Sequence, residues 1–148
     1  MSAAPNMFLK GGFGNDALQV TRGSNVLDGG GGSNFLVGGT GADGGRDTFY
    51  LDAREGTPTW STIVNLHAGD SAAIFGLDPA VSTRAIAASD GVAGYTGVTI
   101  HSETAGAGTG VSASLTFAGI DAATAQQHFT YTTGTLPGSI NYLLIQYT

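Results

Sequence analysis

Leucine stands at Leu9, Leu18, Leu27 and Leu36, nine residues apart, and glycine keeps step with it at Gly14, Gly23, Gly32 and Gly41. The flanking residues resolve this phase into units that run from Gly11 to Gln19, Val20 to Asp28, Gly29 to Val37, and Gly38 onward. In each unit six residues carry turn chemistry and three run straight, as in Ala17-Leu18-Gln19, Val26-Leu27-Asp28 and Phe35-Leu36-Val37. Alternation along such a triad points the leucine inward and its neighbours outward. A glycine that recurs at one place marks a backbone position where a Cβ would clash or where φ must be positive. A three-residue strand cannot stand alone, so each unit must pair with the next unit on its own side, two units along the chain. The pattern predicts a short, flattened, right-handed parallel β-roll with an inner leucine ladder. The turn from Gly11 to Asp16 then lies over that from Gly29 to Asn34, and Val20 to Asn25 over Gly38 to Asp43.

The phase breaks in the fourth unit. Gly41-Ala42-Asp43 and Gly45-Arg46-Asp47 both fit the fourth to sixth places, four residues apart, which marks an insertion or a change of register. Asp47-Thr48-Phe49-Tyr50-Leu51 follows as a longer aromatic strand, where the roll is expected to end. This divides the chain into a roll over residues 1–52 and a β-rich cap over 53–148, together one compact unit. In the cap, strands fit Trp60 to Leu66, Ala72 to Leu77, Thr96 to His101, Ser112 to Phe117, Phe129 to Thr132 and Asn141 to Tyr147. Asp121 is an N-cap for a short helix through Gln127, and Asp78-Pro79-Ala80 fits a second. The expected class is all-β, a short parallel β-roll continuing into a β-rich cap with one or two short helices.

An oxygen-bearing side chain occupies the sixth place of each unit: Asp16, Asn25, Asn34 and Asp43, with Asp47 as rival to Asp43. Glycine-rich turns offer carbonyls that no bulky side chain obstructs, and calcium takes six to eight oxygens in flexible geometry. The unit from Gly11 to Gln19 matches G-G-x-G-x-D-x-L-x at every fixed place. The block over residues 11–52 resembles the RTX, or repeats-in-toxin, β-rolls, calcium-binding C-terminal domains of bacterial proteins exported by type I secretion. The order Asp47-Thr48-Phe49, a loop, then Ile63 and Gly69-Asp70 is similar to the segment that closes such rolls. The resemblance implies Ca2+ as the ligand, with Asp16 and Asp43 as the carboxylates. The candidate ligands are then Gly11, Phe13 and Asp16 facing Gly29, Gly31 and Asn34, and Asn25 facing Gly38, Thr40 and Asp43 or Asp47. Asn25 and Asn34 depart from the family pattern, as do Val20-Thr21 in place of two glycines, so each pairing keeps one carboxylate. Weaker binding than in an all-aspartate roll is expected, because affinity follows ligand charge. The alternative is that the asparagines bond the turn backbone and hold the roll as an amide ladder with little or no calcium.

Composition narrows the classes further. Of 25 glycines, 13 fall between Gly11 and Gly45 in phase with the leucines, which a flexible linker has no reason to show. A net charge of −6 with five Lys and Arg leaves no basic stripe, so nucleic acid is excluded as a partner. The chain has no cysteine, hence no disulfide frame or thiolate metal site. No apolar run approaches a membrane span, and Met1 to Pro5 lacks the pattern of an ordinary signal peptide.

Catalytic motifs are absent: there is no H-E-x-x-H and no G-x-S-x-G. Gly69-Asp70-Ser71 is a weak serine motif without a partner histidine, and His67, His101 and His128 have no ligand spacing. Trp60 reads as core, and Asp52, Glu55 and Asp70 read as solvated loop charge in preference to a further surface-ion site. The chain is therefore read as no enzyme. It is read as a calcium module acting in calcium-dependent folding and type I secretion, with the type I secretion machinery as partner and a secreted, extracellular or cell-surface location. On the family's pattern the run from Tyr142 to Tyr147 carries the uncleaved export signal, and its plain reading is a terminal strand. The alternative function is a structural or adhesive surface protein, a homo-oligomer joined through roll ends or sheet edges.

Overall fold

The straight triads pair in parallel with the triads two units on, and this sorts successive strands into two sheets. The computed structural model describes residues 6–52, 59–76, 84–102 and 113–148. One sheet holds β1 (Phe8–Phe13), β3 (Val26–Gly31), β5 (Thr48–Asp52), β7 (Ser71–Phe75), β12 (Ile140–Tyr147) and β11 (Phe129–Leu136), in that order. The other holds β2 (Ala17–Gln19), β4 (Ser33–Val37), β6 (Thr59–Val64), β10 (Ala113–Ala118), β9 (Gly97–Ser102) and β8 (Arg84–Asp90). Both are mixed, open sheets: parallel from β1 to β7 and from β2 to β10, antiparallel beyond. The chain is all-β with one described helix, α1 (Ala122–His128).

The leucine ladder is two rows, one per sheet. Leu9 pairs with Leu27, Leu27 with Phe49 and Phe49 with Ala72, while Leu18 pairs with Leu36, Leu36 with Ile63 and Ile63 with Phe117. Leu27, Leu36, Phe49, Ile63 and Phe117 are fully buried and form one cluster, with Leu9 and Leu18 only partly covered at its end. The expected two-unit register holds for the first step in each sheet, Phe8 to Val26 and Ala17 to Phe35.

Three expectations need correction. The parallel ladders do not stop at Leu51: β7 adds in parallel to β5, and β6 and β10 continue in parallel from β4. The step also lengthens beyond two nonapeptides, from Val26 to Thr48 and again from Thr48 to Ser71, because the loops grow while the strand rows stay in register. Finally, β8 pairs with β9 where no strand was expected, since Arg84-Ala85-Ile86-Ala87-Ala88 lacks the β-branched alternation that marks a strand. The second helix near Asp78 lies outside the described residues, as does Glu55.

Helix α1 starts where expected. Asp121 accepts the Thr124 backbone N–H at 2.7 Å, and this bond holds its carboxyl below the usual carboxylate range. The helix delivers Phe129 onto Phe117, ring centroids 4.8 Å apart, closing the far end of the core.

Leu27 and Leu36 each sit at 0% exposure between rows, so truncation leaves a void that the flanking strands, fixed by their ladders, cannot close. Leu27→Ala is expected to lower unfolding stability by about 2–5 kcal/mol, against less for half-covered Leu9→Ala, measured by urea denaturation.

Candidate functional site

The site is built where the ends of β1 and β3 run into the turns that follow them. The fourth-place glycines Gly14, Gly23, Gly32 and Gly41 all have positive φ, at 125°, 85°, 95° and 70°. The turns also stack so tightly that a Cβ on Gly30 would strike the carbonyl of Gly12 and one on Gly32 that of Gly14. Glycine is therefore required twice over at Gly32, for conformation and for the approach of the preceding layer.

On the edge next to β2 and β4 the turn from Gly11 to Asp16 lies over that from Gly29 to Asn34, as the spacing predicts. Gly12 pairs with Gly30 and Phe13 with Gly31. Asn34 is 1% exposed, and its amide serves the backbone: Oδ1 accepts the Asp16 N–H at 3.0 Å and Nδ2 donates to the Gly30 carbonyl at 3.2 Å. Asp16 is half-exposed and accepts the Gly12 N–H at 2.9 Å through Oδ2. The Gly29 carbonyl and this carboxylate converge on the side that Gly11 leaves open, 2.5 and 2.7 Å from where a Cβ would stand.

The opposite edge differs from the expectation. Gly39 stacks on Thr21 and Arg22, so the turn from Val20 does begin over that from Gly38, but four extra residues enter before Gly45, which stacks on Gly23. Asn25 therefore faces Asp47, 22 residues on, and the expected pairing of Asn25 with Asp43 is not made. Asp47 Oδ1 accepts the Asn25 N–H at 3.0 Å and its Nδ2 at 2.8 Å, and Oδ2 accepts the Gly39 N–H at 2.8 Å. Asp43 stands exposed on the inserted loop, accepting the Gly23 N–H at 2.7 Å and the Gly45 N–H at 3.1 Å. Those two amides hold its carboxyl below the usual range. Gly38 is tied into the sheet through its N–H to the Val64 carbonyl, and Thr40 is exposed at the start of the insertion.

This edge contains a column the sequence reading missed. The Met7 N–H goes to Asn25 Oδ1 at 3.0 Å, that of Asn25 to Asp47, and that of Asp47 to Asp70 Oδ1 at 2.8 Å. Asp70, expected as solvated loop charge, is 1% exposed. Its Oδ2 takes the His67 N–H and contacts His67 Nδ1, each at 3.0 Å. Burial pushes its pKa up, against the N–H groups of His67 and Asp47 that favour the ionised form. Asp70 follows Asp47 in the column, and the turn dipeptide Gly69-Asp70 was the available signal.

Calcium needs mostly hard oxygens, and among the described residues no three carboxylate or imidazole groups cluster, so a site here must lean on carbonyls. The Asp16 edge fits: one half-exposed carboxylate and the Gly29 carbonyl converge beside Gly11, within a stacked pair of glycine turns. On the other edge both Asp47 oxygens are engaged by three internal donors, the arrangement of the amide-ladder alternative.

A second polar chain joins Asp90 Oδ2 to His101 Nε2 at 2.9 Å and His101 Nδ1 to Ser114 Oγ at 2.8 Å. The residue types are those of a nucleophilic triad, but the exposure is reversed: Ser114 is 2% exposed while the Asp90 side chain is 42% exposed. A nucleophile must reach its substrate, so these bonds act as a clasp across β8, β9 and β10. Ser71, of the weak serine motif, bonds Thr48 Oγ1 at 3.3 Å.

The raised pKa of Asp70 fixes a sign. The folded state holds its proton more tightly than the unfolded chain, so the Asp70 contribution is fully present below about pH 4 and is lost as pH rises through its raised value. The stability of the native chain relative to Asp70→Asn is expected to fall across that window, measured by urea unfolding from acid to neutral pH. Parallel profiles would contradict the assignment.

The comparison with protein families matches residues 10–44 to the RTX calcium-binding nonapeptide repeat, in four copies. No curated protein and no solved structure matches the chain. The match ends at Gly44, inside the insertion, just before the residue that the stacking puts opposite Asn25. RTX repeats of this kind bind Ca2+. With their stacked glycine turns, inward leucines and sixth-place oxygens, residues 10–44 have the features of the RTX calcium-binding nonapeptide repeat that they match.

Proposed function

We propose that the strands from β1 to β7 form a short RTX β-roll that takes Ca2+ at the Asp16 edge, and that the chain is a calcium-dependent folding module of a secreted bacterial protein, exported by a type I route. The observation that carries this reading is the convergence of the Asp16 carboxylate and the Gly29 carbonyl beside Gly11. Gly11, Phe13 and Gly31 would add turn carbonyls from the two stacked layers, while Asn34 fixes their separation through its bonds to Asp16 and Gly30. When bound, calcium neutralises the Asp16 charge and ties one turn to the next. Asp47, and Asn25 with it, act in this reading as permanent struts.

A site with one carboxylate suits a weak, responsive module. Where calcium is scarce, the first layers lack this tie, and where it is abundant, binding free energy becomes folding free energy, about 2.7 kcal/mol at a concentration one hundred times the dissociation constant. Such coupling would let the chain leave a calcium-poor cell extended and fold outside, with β12 serving both as export signal and as the strand that completes its sheet. We further propose that the roll and the cap are one folding unit, because β6 and β7 belong to both.

Calcium titration followed by circular dichroism is expected to show a saturable gain of β signal that chelator reverses. Asp16→Ala is expected to weaken the midpoint by roughly tenfold or more, as loss of the carboxylate that meets the Gly29 carbonyl requires. Asp43→Ala is expected to leave it nearly unchanged. A spectrum unmoved from chelator to millimolar calcium would sink the proposal.

A further inference from the structure

A cavity lies away from the repeat turns, on the outer face of the sheet that holds β4, β6 and β10. Leu36, Ile63 and Phe117 belong to the core, so alternation turns Phe35, Trp60, Thr62 and Thr116 outward. Trp60, expected in the core, therefore stands half-buried on the outside. After β8 the chain crosses this face and is pinned to it. Asp90 Oδ2 bonds His101 Nε2 at 2.9 Å, a Cβ on Gly91 would come within 3.1 Å of the Thr116 methyl, and the Tyr95 ring meets Phe35 edge-on with centroids 5.2 Å apart. Under this bridge is a cavity of about 240 Å³, with Phe35, Trp60 and Thr62 on the sheet side, Gly91 and Val92 on the bridge side and exposed Ser33 at the rim.

No residue that lines the cavity carries a charge. The Trp60 Nε1–H is committed to Thr116 Oγ1 at 2.9 Å, and Thr116 Oγ1 lies 2.7 Å from Thr99 Oγ1, so the indole offers the cavity an apolar ring. Thr62 is different. It pairs with Phe35 on one side and Thr116 on the other, is 3% exposed, and its hydroxyl makes no hydrogen bond among the described residues. The sealed hydroxyls without a partner are those of Thr59 and Ser61, on the inner face of the same strand, whereas the Thr62 oxygen keeps contact with the cavity. A nearly buried hydroxyl is costly without a partner. Here the place for that partner lies inside an aromatic-walled space, and apolar walls with a few placed polar groups are the pattern of a ligand site.

We propose that this cavity is a binding site for a small neutral aromatic molecule carrying one hydroxyl or carbonyl group, with Trp60 and Phe35 as its apolar walls and Thr62 Oγ1 as its hydrogen-bond partner. The volume sets the size. An apolar cavity of about 150 Å³ holds benzene, so this one admits a single substituted ring. The lining sets the charge, because no side chain is present to pair with an ammonium or a carboxylate. It sets the polarity as well: a sugar carries a hydroxyl on nearly every carbon, and one free threonine cannot serve them all. Phe35, Trp60 and Thr62 play no part in the calcium reading, so the two stand or fall separately.

Trp60 is the chain's one tryptophan and lines the cavity, so it reports occupancy. The full chain is titrated with p-cresol and with toluene, which has the same ring and methyl without the hydroxyl, and Trp60 emission is followed with excitation beyond the absorption of either ligand. Both are expected to give a saturable shift. Thr62→Val keeps the shape of the side chain and removes its hydroxyl. It is expected to weaken p-cresol about threefold to tenfold, the range of one net hydrogen bond, and to leave toluene unchanged. Because that hydroxyl has no partner among the described residues, the urea midpoint of Thr62→Val is expected to equal or exceed that of the native chain. The proposal is overturned by no saturable shift with p-cresol, by equal p-cresol affinity in Thr62→Val, by toluene weakening alongside it, or by a lowered urea midpoint, which would give the hydroxyl a role in the fold. A shift with methyl β-glucoside at concentrations where p-cresol gives none would overturn it in favour of a sugar.

Discussion

The structure depends on one constraint, the stacking of turns at the spacing of strands. Strand rows satisfy their own backbone by ladder hydrogen bonds, but a turn held about 4.8 Å from the next has amides that point at no ladder partner. The chain meets this with two devices at fixed places. Glycine in the turn lets the preceding carbonyl sit where a Cβ would be, as at Gly32 over Gly14. A short side chain with an acceptor oxygen at the sixth place then caps the amide of the layer before, as Asn34 does for Asp16 and Asn25 for Met7. Buried backbone groups left unpaired are costly, so the inward leucines can be covered only where both devices are present.

Climbing the stack changes the devices without abandoning the rule. The acceptor column runs Asn25, Asp47, Asp70, and the step from each capped amide to its acceptor lengthens along it, from Met7 to Asn25, Asn25 to Asp47 and Asp47 to Asp70. A buried carboxylate costs more than an amide, and these two are tolerated because each receives several N–H groups. Stacking one above the other still raises the pKa of Asp70, where burial is the leading cause and the charge of Asp47 adds to it. Above Asp70 the rule lapses: β12 runs antiparallel to β7, and the Tyr147 N–H goes directly to the Asp70 carbonyl.

What the sequence displays follows from this. The period of nine, the inward leucines and the positive φ of Gly14, Gly23, Gly32 and Gly41 were legible because one residue type recurs wherever the geometry leaves one option. The pairing of Asn25 with Asp47 was ambiguous, since Gly41-Ala42-Asp43 repeats the local pattern and only the stacking of Gly45 on Gly23 selects the later copy. Asp70 was misread because the turn that holds it has lost the glycine phase and kept only Gly69-Asp70. The clasp of Asp90, His101 and Ser114 was invisible, because it is assembled by the registers of β8, β9 and β10 and not by any spacing along the chain.

The two edges of the stack divide the work. Where the acceptor is Asp47, its oxygens are filled by Asn25 and Gly39, and the column needs no ion to be neutral in hydrogen bonding. Where the acceptor is Asn34, the amide is equally committed, and the one carboxylate, Asp16, is left half-exposed at the first layer. An ion at that edge would tie the first layer, which has the least core, to the second, since Leu9 and Leu18 are only partly covered while Leu27 and Leu36 are fully buried. The response to calcium would then be local. The antiparallel strands and the Asp47 column supply the frame, and an ion bound at the Asp16 edge would set how firmly the first turns of the repeat array are laid against it.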